Sequence, residues 1–369
     1  MNRTDVRPTL VALSCLALLS VQVAAAAERL GTYPVDPDKI SVSGISSGAF
    51  MANQLHIAHS TLFMGAAMVA GGLYGCAVND VKDDGVGALA SLATGPCMSA
   101  PALLDNAASY AERVKDFQSR HWIDPIAGLE PDKVYLFTGS ADSVVASKTV
   151  LTGADVYAEL GVPEENIQVV HYTEPPGAGH SWVTDNYILP CNANTNPYIN
   201  NCQYDQAGAI LQHIYGELKP RAQTVSGTFH EFSQLEFAPD GELAGNGLWD
   251  VGYLYVPRAC EPGGDEQCPL HVVLHGCAQS AEVLDDTFYR HVGVNEWADS
   301  NGIVVLYPQA RSVTVKDFKT SGPSDIFQIN PFGCWNWWGY AYDDRYLLKS
   351  GVQLDAIYHM VLRVIGSES

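Results

Sequence analysis

The sequence predicts an α/β protein with a mostly parallel central sheet flanked by helices. Short apolar runs alternate with longer amphipathic ones along most of the chain. The apolar runs carry too few polar residues to face water, which suits strands buried between two helical layers. A Gly-x-Ser-x-Gly turn joins the first of these strands to the first helix, a sharp junction of the kind that ends at a sheet edge.

The elements follow in order. Residues 39–43 alternate apolar and polar and predict a short strand, and a helix is expected over 49–59. Residues 63–70 are small and apolar, as in a buried strand, and 102–118 read as a helix. A strand at 134–137, a helix at 146–160 and a strand at 167–172 come next, then a helix over 206–218. Residues 252–256, 271–274 and 302–306 predict three further strands, and an amphipathic helix over 350–364 closes the chain. Of 369 residues, 47% are hydrophobic and only 17% charged, which gives a large core and argues against disorder. Composition shifts little near residue 220, the one conceivable boundary, so 27–369 is expected to form a single domain.

Residues 1–26 read as a secretory signal. Arg3 and Arg7 precede an apolar run over 10–23, and Ala24-Ala25-Ala26-Ala27 offers small-residue cleavage sites. The run is shorter than the ~20 residues a membrane span needs, and Cys15 lies mid-run rather than in a lipoprotein motif. The protein is therefore expected outside the cytoplasm, extracellular or periplasmic.

Export changes the meaning of the cysteines. Cys15 leaves with the signal, and Cys76, Cys97, Cys191, Cys202, Cys260, Cys268, Cys277 and Cys334 remain, an even number in an oxidising compartment. Proximity suggests the pairs 76–97, 191–202 and 260–268, which leaves 277–334. No Cys-x-x-Cys or His-Glu-x-x-His pattern supports a metal site. The stretch Asp80 to Gly85 fails as a calcium loop, because Lys82 stands where a ligand is required and Ser91 where a glutamate would close it. The chain has 20 basic against 41 acidic residues, a net −21. That balance repels phosphate backbones and anionic membrane surfaces, so neither nucleic acid nor membrane is an expected partner. The chain is expected to be a monomer.

The chemistry begins at Gly44-Ile45-Ser46-Ser47-Gly48, between a predicted strand and a predicted helix. In that context Ser46 projects a hydroxyl above the sheet edge, and the Ser47 N–H, at the helix start, faces a developing oxyanion. A serine nucleophile needs a base, and the base an orienting acid. His180, in the Gly/Pro-rich loop after the 167–172 strand, is the best base; Asp142, after the 134–137 strand, is the best acid. His121 competes for the first role, Asp124 and Asp185 for the second. The order Ser46, Asp142, His180 is that of α/β-hydrolases.

Such folds take their second oxyanion donor from a loop that precedes the nucleophile. Too few residues precede Ser46 here. The matching strand–His–Gly loop is His271 to Gln279, with the Cys277 N–H as donor. A circular permutation follows, in which the C-terminal third supplies the strands that normally come first and the termini lie close together. Near the proposed partner Cys334, Trp335, Trp337, Trp338 and Tyr340 fall within six residues. They fit either a buried aromatic plug or an aromatic wall for an apolar substrate.

Together, Gly44 to Phe50, Gly139 to Val145, Ala178-Gly179-His180-Ser181-Trp182, Leu274-His275-Gly276-Cys277 and Cys334 to Trp338 resemble the poly(3-hydroxybutyrate) depolymerases, and most closely their single-domain, circularly permuted type. The resemblance covers the whole mature chain. It implies a secreted ester hydrolase with the triad Ser46, Asp142 and His180, an oxyanion hole from Ser47 and Cys277, tryptophans lining a polyester cleft, and no cofactor or metal. Many secreted members carry a linker and a separate polymer-binding domain. This sequence has neither, which leaves adsorption to the catalytic domain itself or a preference for amorphous polymer or oligomers. Two other readings stay open: a feruloyl or acetyl-xylan type esterase, and a non-catalytic polymer-binding protein on a hydrolase scaffold.

Overall fold

A computed structural model describes residues 27–264, 267–318, 326 and 328–367; the expected signal, 1–26, lies outside them. The chain enters β1 (Val35–Ile45), turns into α1 (Ser47–Ala58) and returns as β2 (Gly65–Val69). A small hairpin of β3 (Val78–Val81) and β4 (Val86–Ala88) precedes α2 (Ala90–Thr94) and α3 (Ala107–Ser119). Then come β5 (Lys133–Gly139), α4 (Ser147–Glu159) and β6 (Ile167–Tyr172). A side sheet of β7 (Trp182–Thr184), β8 (Leu189–Pro190) and β9 (Ile199–Asn201) leads to α5 (Gln206–Tyr215). The last part holds β10 (Thr228–Ser233), β11 (Val251–Val256), β12 (Cys268–Leu274), α6 (Ala281–Leu284), α7 (Thr287–His291), α8 (Val294–Asn301), β13 (Val304–Tyr307) and α9 (Val352–Ile365).

Eight strands pair in the order β10-β11-β13-β12-β1-β2-β5-β6. From β13 to β6 every pairing is parallel; β10 and β11 join antiparallel at the edge. Side chains alternate between the two faces. Ala66 and Met68 pack with Phe50 and Leu55 of α1 and Leu354 and Ile357 of α9, whereas Ala67 and Val69 pack on the face of Ile210 and Leu211 of α5 and Ala298 of α8. All five residues of β2 are buried, as a strand covered on both faces must be. Strands from both sides of residue 220 thus share one sheet.

The order shows the permutation. The last four strands form one half of the sheet and the first of the chain's strands enters at its middle. The end of α9 lies against the start of the chain: the Tyr33 N–H donates to the Val364 carbonyl at 2.9 Å and Thr32 Oγ1 to the Arg363 carbonyl at 3.0 Å. Four disulfides form, Cys76–Cys97, Cys191–Cys202, Cys260–Cys268 and Cys277–Cys334, the pairing that proximity suggested.

Some expectations shift. The helix expected from 102 begins at Ala107, where the Asn106 side chain accepts the Ser109 N–H and caps the first turn. The helix expected to 218 stops at Tyr215, because Gly216 takes a positive φ of 83°. β10 and the helices α6 to α8 escape a pattern reading: β10 is a largely polar edge strand, and the helices are too short for a period to emerge.

Candidate active site

Ser46 lies between β1 and α1 with φ 56° and ψ −120°, a conformation that costs a non-glycine residue about 1–3 kcal/mol. Its backbone holds the turn. The N–H donates to the Val69 carbonyl at 2.8 Å, and the carbonyl accepts the Phe50 N–H at 3.1 Å. The flanking glycines let α1 approach the sheet. A Cβ on Gly44 would stand 2.2 Å from the Gly48 carbonyl oxygen, and one on Gly48 would stand 2.3 Å from the carbonyl oxygen of Leu274. Both obstacles are backbone, so Gly48→Ala should cost about 2 kcal/mol or more by overpacking. A lower urea midpoint at unchanged m would show it, and a midpoint equal to the parent's would contradict this packing.

The acid and base meet across two loops. Asp142 Oδ1 accepts the N–H groups of Val144 and Val145 at 2.8 and 2.9 Å, and Oδ2 lies 2.9 Å from His180 Nδ1. The carboxylate is fully buried and the imidazole only 5% exposed. A carboxylate on Nδ1 places the proton there and leaves the Nε2 lone pair free. Two glycines permit the arrangement: a Cβ on Gly139 would meet the Ala178 carbonyl oxygen at 2.0 Å, and one on Gly179 would meet that of Ala193 at 2.1 Å. The competing residues are engaged elsewhere. His121 is exposed at the end of α3. Asp124 accepts from Thr61 and Lys349, and Asp185 pairs with Arg221.

Ser46 and His180 open onto one cavity of about 460 Å³, walled largely by apolar side chains such as Phe50, Met98, Val144, Phe332, Trp337 and Trp338. That volume is in the range of small-molecule and cofactor sites. Trp337 stacks on Phe50 of α1, with ring centroids 4.0 Å apart, and Trp338 meets Trp337 edge-on at 5.4 Å. Phe50 and Val144 follow directly on the Ser46 and Asp142 motifs, which was the only sequence signal for either. Met98, in a short helical turn over Gly95–Ser99, and Phe332 reach the wall from distant segments that carry no such signal.

The aromatic cluster requires a correction. Trp335 and Tyr340 do not line the cavity; both are 0% exposed. The Trp335 ring packs against His275 at 5.3 Å, and its backbone N–H donates to Ser47 Oγ at 3.2 Å. The Tyr340 hydroxyl donates to the Cys334 carbonyl at 2.8 Å and accepts from Gln353 Nε2 at 2.7 Å. The tight turn over 334–340, closed on itself by Asn336 and Tyr340, sends the two middle rings, Trp337 and Trp338, to the cavity and buries the outer two, Trp335 and Tyr340. The segment is therefore plug and wall at once.

The loop after β12 passes beside Ser46: a Cβ on Gly276 would stand 3.1 Å from Ser46 Cβ. Burial pushes the His275 imidazole down to about 4, so it is neutral. Its Nδ1 donates to the Gly276 carbonyl at 2.7 Å, and its Nε2 accepts the Ala310 N–H at 3.0 Å. Gly276 N–H donates to Gln279 Oε1 and Ala278 N–H to the Phe332 carbonyl. None of these bonds uses the Cys277 N–H. The Ser47 N–H, in the first turn of α1, has no acceptor within the helix. The Cys277–Cys334 disulfide joins this loop to the tryptophan segment. A hydroxyl on a strained turn, an oriented imidazole, two backbone donors and an apolar cavity make up the equipment of acyl transfer.

No family model matches the chain. It is 39% identical over 354 residues to the poly(3-hydroxybutyrate) depolymerase of Delftia acidovorans, covering 95% of this chain and 64% of that protein's length. It is 37% identical over 359 residues to the polyhydroxybutyrate depolymerase of Talaromyces funiculosus, covering 95% of this chain and 96% of the relative. The chain belongs to the poly(3-hydroxybutyrate) depolymerase family. The crystal structure of the depolymerase from Penicillium funiculosum superposes on 92% of this chain and all of that one, at a TM-score of 0.76 and 34% identity. A serine-to-alanine variant of a depolymerase of this family, complexed with an R3HB trimer, superposes at 0.75 and 33% identity. The family's members are carboxylic ester hydrolases, and the resemblance carried by the ordered motifs is borne out.

Proposed function

We propose that the chain is an exported, monomeric serine hydrolase that cleaves the ester bonds of poly(3-hydroxybutyrate) or its oligomers, with Ser46, His180 and Asp142 as its triad. One observation carries the reading: Ser46 on its strained turn and His180, backed by buried Asp142, open onto the same apolar cavity. Family membership narrows the ester to a hydroxyalkanoate.

His180 Nε2 takes the Ser46 proton as Oγ attacks the ester carbonyl carbon, and the carbonyl electron pair moves onto oxygen. The Ser47 and Cys277 N–H groups hold that oxyanion. Its collapse breaks the ester C–O bond, and the departing alcohol takes the proton from His180. Water, deprotonated by His180, attacks the acyl-enzyme and releases the acid and the free Ser46 hydroxyl. Phe50, Trp337 and Trp338 offer the neutral, methyl-bearing polyester an apolar wall that needs no counter-charge. No step calls for a metal or cofactor.

Four disulfides fit an oxidising compartment, and among the described residues no helix is long and apolar enough to cross a membrane. These support export behind a signal at 1–26.

The test is a side-by-side assay on amorphous hydroxybutyrate polymer, its oligomers, and feruloyl and acetyl-xylan esters, with organophosphonate labelling. Hydroxybutyrate esters should turn over fastest, and Ser46 should be modified stoichiometrically. A preference for feruloyl or acetyl esters would overturn the substrate class, and an unlabelled chain would mark a polymer binder.

A further inference from the structure

The segment between Cys191 and Cys202 has no part in the steps above, yet it bonds to the backbone of His180, to both neighbours of Asp142 and to the loop that carries Cys277. The Asn194 side chain is the centre of these contacts. Its Oδ1 accepts the backbone N–H of His180 at 2.8 Å and that of Ser143 at 3.0 Å. Its Nδ2 donates to the carbonyls of Ala141 at 3.0 Å and Asn192 at 3.1 Å. One planar amide thus uses both lone pairs and both protons. Three of the four bonds go to the neighbours of Asp142 and to the backbone of His180.

The next residues reach the oxyanion loop. Asn196 Nδ2 donates to the Ala278 carbonyl at 3.2 Å, and Gln279 Nε2 donates to that of Pro197 at 2.8 Å. The same Gln279 holds the Gly276 N–H through Oε1 at 2.8 Å. Tyr198 stands edge-on to the His180 ring, centroids 5.9 Å apart. The segment is itself braced by the Cys191–Cys202 disulfide and by buried Asn200, which donates to the carbonyls of Cys191 and Ala193 at 2.8 Å.

We propose that Asn194 is the positioning residue of the Asp142–His180 pair, and that residues 194–198 form a strap that holds this pair in register with the oxyanion loop at Cys277. The inference rests on the triad reading above. Its physical reason is that Asp142 and His180 sit on separate loops, after β5 and β6, while the Cys277 donor follows β12 on the other side of the nucleophile strand. The hydrogen bond between the two side chains orients the imidazole but does not fix where either loop stands. Acyl transfer needs the base and the oxyanion donors placed together to a fraction of an ångström. The titratable groups that the structure sets against the His180 ring are Asp142, by hydrogen bond, and Tyr198, by its edge.

The test uses the full chain with Asn194→Leu, of similar size but without hydrogen bonds, and Asn194→Asp, which keeps the acceptor for His180 and Ser143. Active sites are counted by organophosphonate, and kcat, KM and the pH profile are measured on a soluble hydroxybutyrate oligomer. Asn194→Leu should lower kcat per counted site about 10- to 100-fold with KM nearly unchanged. The acid limb of its kcat/KM profile should move to lower pH, because the carboxylate no longer holds the imidazolium as well. Asn194→Asp keeps the bonds to His180 and Ser143 but sets an oxygen against the carbonyls of Ala141 and Asn192, so it should recover only part of kcat, and it should move the limb the other way, since it adds a negative charge near the ring. Asn196→Ala should lower kcat several-fold and leave the limb in place. If Asn194→Leu does not fold, the last two variants decide. Parent kcat per site with the parent limb in the folded variants would overturn the inference. A parent enzyme that the phosphonate does not label overturns the triad reading instead, and this inference with it.

Discussion

Ser46→Ala is expected to lower kcat on soluble hydroxybutyrate esters by about 10⁴- to 10⁶-fold, the scale seen when a serine nucleophile is removed from an assembled triad. The change deletes one oxygen and leaves the turn standing. The backbone bonds from Ser46 to Val69 and Phe50 remain, and the obligate contacts at Gly44 and Gly48 involve no side chain of residue 46. KM should therefore stay within a small factor of the parent's, and thermal unfolding should not move down. Alanine at a positive φ is strained as serine is, so no stabilisation is expected either. The residual rate would come from the oxyanion donors and binding alone. Clearance of a polymer suspension at the parent rate by this variant would rule out a Ser46 acyl-enzyme.

Asp142→Asn should cost about 10⁴-fold in kcat, although it is nearly isosteric. Asp142 accepts three hydrogen bonds: two backbone N–H groups on Oδ1 and His180 Nδ1 on Oδ2. In asparagine the oxygen must stay with the N–H groups of Val144 and Val145, because an amide nitrogen there would set donor against donor. The NH₂ then faces His180 and donates to Nδ1. The imidazole is driven to carry its proton on Nε2, the atom that must accept the proton of Ser46. Stability should change little, since the loop's backbone bonds survive. The check is kcat measured beside the melting temperature; an active Asp142→Asn would mean that Asp142 does not orient the base.

Much of the sheet was legible because its strands are covered on both faces. Residues 63–70 hold the fully buried β2 and 271–274 lie in β12 as the pattern predicts, and the helix expected over 146–160 forms as α4 from Ser147 to Glu159. Each of Ser46, Asp142 and His180 follows a strand, so a local reading could nominate all three. The polar edge strand β10 carried no such signal. The tryptophan segment shows a harder limit. Its composition announces aromatic packing, but a turn closed by Asn336 decides which rings face the cavity, and the ring packed on Trp335 is that of His275, far away in the chain.

Asn194 was invisible for a related reason. Nothing around it marks chemistry, and its value lies in three backbone groups that come together only when the loops after β5 and β6 pack against residues 191–202. By itself, then, the sequence determined what depends on local pattern: the α/β layers, the permuted order, the Gly-x-Ser-x-Gly turn, the candidate acid and base that the structure brings together, and the disulfide pairs of near neighbours. Tertiary structure alone decided what depends on convergence. It set which aromatic rings see the cavity, which loops brace one another, and how the loop after β12 stands beside Ser46. Hydrophobic periodicity is written along the chain, residue after residue, whereas a backbone carbonyl 2.0 Å from where a glycine's Cβ would be is a fact about two segments that only folding makes neighbours.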